Sequence, residues 1–97
     1  MNAIQMAPEG KVKKKLKADL DAHGVYYYMP VPGGYGRPSV DFLCCTGLGV
    51  FMAIETKANG RELTPRQRTT LEDIKNHNGQ CWVVTLDGKG ELVWTRF

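Results

Sequence analysis

The sequence predicts an α/β fold: a mixed β-sheet flanked by helices, with elements in the order α-β-β-β-α-β-β. Three observations carry that prediction. A helical periodicity opens the chain, a capping signature starts a second helix further on, and five runs of β-formers are set off by Gly and Pro turns. Ninety-seven residues suit one domain, 1–97, with residues 1–6 expected to be flexible. A chain this short buries a smaller share of its surface than a larger one, so a partner subunit would add to its stability.

The first helix is predicted over 8–23. Pro8 fits the first helical position and Glu9 the positive end of the helix dipole. Val12, Leu16 and Leu20 recur every four residues as one apolar stripe, and His23-Gly24 ends it. Val25–Met29 is rich in β-formers and stops at Pro30, and a glycine-rich loop follows over 32–38. Ser39–Cys45 and Val50–Lys57 read as strands joined by Thr46-Gly47-Leu48-Gly49, a hairpin. After the Asn59-Gly60 turn, Thr64-Pro65-Arg66-Gln67 has the form of a capping box. The helix it opens is predicted to reach about Asn78, with Leu71 and Ile74 on its inner face and Gly79 closing it. Cys81–Leu86 and Glu91–Thr95 form a last hairpin across Asp87-Gly88-Lys89-Gly90.

Charged residues make up 24% and hydrophobic residues 42%, which argues against a disordered chain. The three cysteines, Cys44, Cys45 and Cys81, have no spacing suited to zinc. Each sits in an apolar run and is expected to be a small buried residue in a reducing cytoplasm. No signal-peptide pattern opens the chain and no apolar run approaches the ~20 residues of a membrane span, so a cytoplasmic location without membrane contact is expected. Net charge is +3, but Lys11, Lys13, Lys14, Lys15 and Lys17 crowd together, and Arg61, Arg66 and Arg68 follow later. Such a face attracts a polyanion, or is simply the solvated side of a helix.

The central hairpin carries the chemistry. With its turn centred on Leu48, paired residues sum to 96, so Leu43 faces Ala53, Cys45 faces Phe51 and Asp41 faces Glu55. Lys57 then shares a face with Asp41 and Glu55, while Val40, Phe42, Cys44, Met52, Ile54 and Thr56 take the other. Both faces are largely apolar, so these strands are expected to be central and covered on both sides. Two carboxylates ~5 Å apart repel by about 3 kcal/mol at an effective dielectric of ~20. Protonation of one, a salt bridge to Lys57, or a divalent cation held by both would relieve the conflict. The lysine favours the cation, because water attacking beside it needs a neighbour to orient or deprotonate it. The competing reading is an ion pair on an exposed sheet edge.

Asp41, then Glu55-Thr56-Lys57 fourteen positions on, resembles the PD-(D/E)XK nuclease signature. The wider pattern resembles the virus-type replication-repair nuclease domain, VRR-NUC. It includes a Gly-rich segment before the aspartate, Gly60–Gln67 leading into a helix, and Gly79 before a strand; the match runs over about 8–86. One departure is that Pro38 stands three positions before Asp41 rather than directly before it. The resemblance implies a restriction-endonuclease-like core. It also implies one Mg²⁺ or Mn²⁺ at Asp41, Glu55 and the Thr56 backbone carbonyl, with Lys57 assisting the attacking water. Glu9 would be an outer acidic member and Gln67 a further contact, although Glu9 also suits a helix start and Gln67 a capping box. Lys11, Lys13, Lys14, Lys17, Arg37, Arg61, Arg66 and Arg68 would hold flanking DNA phosphates. Small members of this kind, from phage and bacteria, dimerise and resolve branched DNA. A C2 homodimer acting on four-way junctions in a bacterial or phage-infected cell is therefore implied. Action on flaps, ends or plain duplex, and a catalytically silent binding module, are the rival readings.

Overall fold

The computed structural model describes residues 8–31 and 37–97; the expectations for 1–6 and for most of the glycine-rich loop lie outside them. The elements are α1 (Pro8–Ala22), β1 (Tyr26–Tyr28), β2 (Phe42–Cys45), β3 (Phe51–Thr56), α2 (Pro65–Asn76), β4 (Gln80–Leu86) and β5 (Leu92–Arg96). They form one five-stranded sheet in the order β1-β2-β3-β4-β5. The β3–β4 pair is parallel, because α2 carries the chain back across the sheet between them, and the other neighbours are antiparallel. Among the described residues no helix is long and apolar enough to cross a membrane.

Two hydrophobic clusters sit on opposite faces of this sheet. Val12, Leu16 and Leu20 of α1 pack on Phe42, Cys44, Met52, Ile54 and Val84. Leu71 of α2 packs on Val40, Ala53 and Cys81 on the other side. Strand β3 feeds both, its alternate residues pointing to opposite helices, and it is the centre of the fold. Truncating a fully buried residue such as Leu16 to alanine would cost about 2–5 kcal/mol.

Helix α2 starts as predicted. Thr64 Oγ1 accepts the Gln67 N–H at 3.2 Å and Gln67 Oε1 accepts the Thr64 N–H at 2.9 Å. Its end differs from the prediction: Asn78, at φ +71°, takes the left-handed position. Gly79 is required for a different reason. A Cβ there would lie 2.7 Å from Ile74 Cγ2, so the chain could not turn this tightly into β4.

Three further expectations fail, the first because a local bend overrides strict alternation and the other two because of how far α2 extends across the sheet. Val40 packs with Ala53 and Leu71 rather than with Phe42, since the chain bends at Asp41 before β2 begins. Cys45 is exposed, whereas Cys44 and Cys81 are buried. Helix α2 packs on β3 and β4, and Leu43 of β2 reaches its cluster, but Tyr26, Tyr28 and Cys45 stay exposed, so the hairpin is not covered over its whole length.

Candidate active site

The pairing Phe42↔Ile54, Leu43↔Ala53, Cys44↔Met52 and Cys45↔Phe51 keeps the sum of 96 throughout the hairpin. Continued by one step, it sets Asp41 against Glu55 where the two strands end. Glu55 is only 2% exposed, and Thr56 and Lys57 are buried beside it. Three polar side chains in succession are therefore withdrawn from water at the end of the central strand, an arrangement that costs stability unless each is partnered.

The bend at Asp41 supplies partners. Asp41 Oδ2 accepts the Thr56 N–H at 2.9 Å and the Thr56 hydroxyl at 2.7 Å. Its other oxygen, Oδ1, lies 3.7 Å from Lys13 Nζ on α1. Lys57 Nζ lies 3.9 Å from Glu9 Oε2, one helical turn from Lys13 on the same flank of α1. The first two turns of α1 thus deliver one acidic and one basic side chain to the strand ends.

The two carboxyl groups are chemically distinct. Burial, reinforced by the hydrogen bond to Asp41 and by its negative charge, pushes the Glu55 pKa up to about 8. Burial acts in the same direction on Asp41. Hydrogen bonds from Glu55 and Thr56, with the Lys13 charge, outweigh it and hold Asp41 below the usual carboxylate range. At neutral pH the pair therefore shares one proton, carried by Glu55 and donated to Asp41. Burial and the neighbouring Asp41 favour the protonated form of Glu55, and Lys57 lies beside Glu9.

The donor set suits a hard divalent cation. Mg²⁺ is bound through one or two carboxylates and keeps much of its water, so a larger cluster is not required. Among the described residues no group of three or more His, Cys, Asp or Glu side chains converges, and the two facing carboxyls are the available anionic pair.

Of the sequence-predicted site residues, Asp41, Glu55, Thr56, Lys57 and Glu9 come together. Gln67 stands at the start of α2 with its side-chain oxygen engaged by the Thr64 backbone. Lys11, Lys14 and Lys17 lie on α1, and Lys11 and Lys14 are exposed. Arg61 and Arg66 are exposed between the end of β3 and the first turn of α2. Arg37 pairs with Asp73 at 3.5 Å, and Arg68 lies over the Phe97 ring. These cations therefore stand on both sides of the sheet and do not form one patch. Two features escaped the sequence reading. The Thr56 hydroxyl clamps Asp41, although alternation places Thr56 on the other face, and Lys13 reaches Asp41 directly. The spacing of Glu9 and Lys13, four residues apart on one helix flank, was the available signal for the second.

No family model matches the sequence, and no curated protein matches it. Solved structures do. A VRR_NUC domain superposes with a TM-score of 0.72 at 24% identity, covering 82% of this chain and 86% of that one. Hjc of Archaeoglobus fulgidus, a Holliday junction resolvase from an archaeal hyperthermophile, superposes with a TM-score of 0.69 at 15% identity, covering 89% of this chain and 74% of that one. The mixed five-stranded sheet and its two helices share the restriction-endonuclease-like fold of these proteins.

Proposed function

We propose that this chain is a divalent-cation-dependent DNA nuclease of the VRR-NUC type, a single domain that hydrolyses phosphodiester bonds in branched DNA as a homodimer. The observation that carries the proposal is the facing pair of half-buried Asp41 and buried Glu55, with Lys57 on the same strand end. The fold it shares with a VRR_NUC domain and a Holliday junction resolvase supports the same reading. A pair of opposed carboxyls costs stability unless a proton or a cation offsets the repulsion.

Asp41, Glu55 and the Thr56 backbone carbonyl are the groups that would hold Mg²⁺ or Mn²⁺. The bound ion would supply Lewis acidity toward a phosphoryl oxygen. The chain's own residues do the rest. Thr56 fixes Asp41 through Oδ2 and so leaves Oδ1 pointing outward. Lys57, tethered to Glu9, presents an ammonium group to the charge that develops on the phosphate and orients the attacking water. Lys13 adds a second cation beside the same carboxylate. Exposed Lys11, Lys14, Arg61 and Arg66 flank this end and suit phosphate contacts that position DNA without reading its sequence.

The test is incubation with labelled four-way junction, flap and linear duplex in Mg²⁺, with parallel reactions in EDTA and with Lys57→Ala. Junction cleavage that needs Mg²⁺ and Lys57 is expected. Persistent cleavage in EDTA or in the variant would defeat the chemistry. Equal cutting of linear duplex would leave a nuclease but remove its preference for branches.

A further inference from the structure

The bare part of the sheet has a composition of its own. From Gly24 to Gly36 and again from Phe42 to Ile54 the sequence has no charged residue, in a chain that is 24% charged overall. These two runs contain β1, β2, the β2–β3 turn and most of β3, which lie side by side. The register lines up Tyr26, Cys45 and Phe51 as one row across three strands, with Tyr28 opposite Leu43 in the next row. That next row ends on Ala53, which packs against Leu71 of α2, so both rows lie on the α2 side of the sheet; the helix covers Ala53 and leaves Tyr26, Tyr28, Cys45 and Phe51 exposed. Tyr26 is 71% exposed, Tyr28 55%, Phe51 48%, and Leu48 in the adjoining turn 93%.

We propose that this uncharged quadrant is the surface on which two copies of the chain associate about a twofold axis. The inference rests on the dimeric reading above and assigns its interface. The exposed aromatic and leucine side chains offer on the order of 500 Å² of contiguous, largely apolar surface, the size that marks an interaction site on a monomer. Two such patches laid together bury on the order of 1,000 Å², the lower bound for a specific protein interface. Charge selects the partner. The two runs supply no cation to a polyanion, and two copies that each carry a net charge of +3 meet with little repulsion on an uncharged surface. The edge strands differ in the same sense. β5 includes Arg96 and follows Glu91, whereas β1 is three tyrosines with none of the charges that normally guard a sheet edge. The patch faces away from α1, so association leaves that lysine-rich helix uncovered in both copies.

Sedimentation equilibrium of the full chain from 1 to 100 µM tests the assignment, with Tyr26→Ser/Tyr28→Ser and the opposite-edge control Val93→Ser. The expected result is a dimer for the unaltered chain and for Val93→Ser, and at least a tenfold weaker association for the tyrosine variant. A dimer that both tyrosine substitutions leave unchanged overturns the surface while leaving the dimer standing. A monomer at 100 µM for the unaltered chain overturns both. Should the tyrosine variant not fold, amide hydrogen exchange on the unaltered chain decides. Protection of Tyr26–Tyr28 that rises with protein concentration supports the interface, and protection independent of concentration overturns it.

Discussion

The two ends of the β2–β3 hairpin break the same rule in opposite directions. At its open end, Glu55, Thr56 and Lys57 are polar and buried; at its turn end, Leu48 and Phe51 are apolar and exposed. Each departure from apolar-in, polar-out lowers the stability of an isolated monomer, and both occur on one hairpin whose strands are four and six residues long. Among the described residues no fully buried side-chain nitrogen or oxygen lacks a hydrogen bond. Leu48 is 93% exposed and Phe51 48%. The open end is therefore complete as a structure but chemically loaded, and the turn end is structurally unfinished. The first is what a reacting site looks like, the second what an interface looks like.

Substitutions should separate the two ends, and the largest effect belongs to the open end. Lys57→Ala is expected to lower the rate of junction cleavage by roughly 100-fold or more, measured at saturating Mg²⁺ with circular dichroism to verify the fold. A loss below threefold would place Lys57 outside the chemistry.

The pH dependence comes next. The folded pKa of Glu55, about 8, lies above its ordinary value of 4.5. Its favourable contribution is full below 4.5 and is lost as pH rises toward 8. Asp41 is depressed below 3.8, so its contribution is present above 3.8 and lost as pH falls through the lower folded value. Considering this pair alone, the cation-free protein is most stable between these ordinary values and weakens from there to pH 8, measurable by denaturant titration in EDTA. Divalent-cation affinity should run the other way, rising up to about tenfold per pH unit until Glu55 is ionised. A cation affinity that is flat from pH 6 to 8 would disconnect the pair from metal binding.

Lys13→Ala is a smaller perturbation. It frees Asp41 Oδ1 from a competing ammonium group and is expected to tighten Mn²⁺ binding by up to about fivefold, given that a partly exposed pair contributes ~0.2–1 kcal/mol. Isothermal titration would show it, and weaker binding would mean that Lys13 organises the site instead. Smallest of all, Leu48→Ala should leave the unfolding free energy of the dilute monomer within about 0.5 kcal/mol, because its side chain touches almost nothing. A larger loss would mean that the turn end is less bare than its exposure indicates.

Much of this contrast was legible in the sequence because period-two alternation and turn chemistry are local. The Thr46–Gly49 turn sets the hairpin register, and the register sets Asp41 against Glu55. The capping box at Thr64 and Gln67 was legible for the same reason. The remainder depends on tertiary placement. How far α2 extends across the sheet decides that Cys45 is exposed, and nothing within two residues of Cys45 encodes that. The bend at Asp41, which moves Val40 to the α2 side and hands Asp41 to Thr56 and Lys13, breaks the alternation on which the prediction relied. Where the pattern failed at the site, it failed at the residue most central to the proposed chemistry.

The central claim is that the Asp41–Glu55 pair is a charge conflict kept for a cation. Thermal unfolding of the unaltered chain and of Glu55→Gln at pH 8, each in EDTA and in Mg²⁺ at about ten times its dissociation constant, tests it most directly. The account predicts that Glu55→Gln is the more stable protein in EDTA and does not respond to Mg²⁺. The unaltered chain should gain about 1.4 kcal/mol, or roughly 5–10 °C, from the cation. An unaltered chain that ignores Mg²⁺, and that loses stability when Glu55 becomes glutamine, would contradict it.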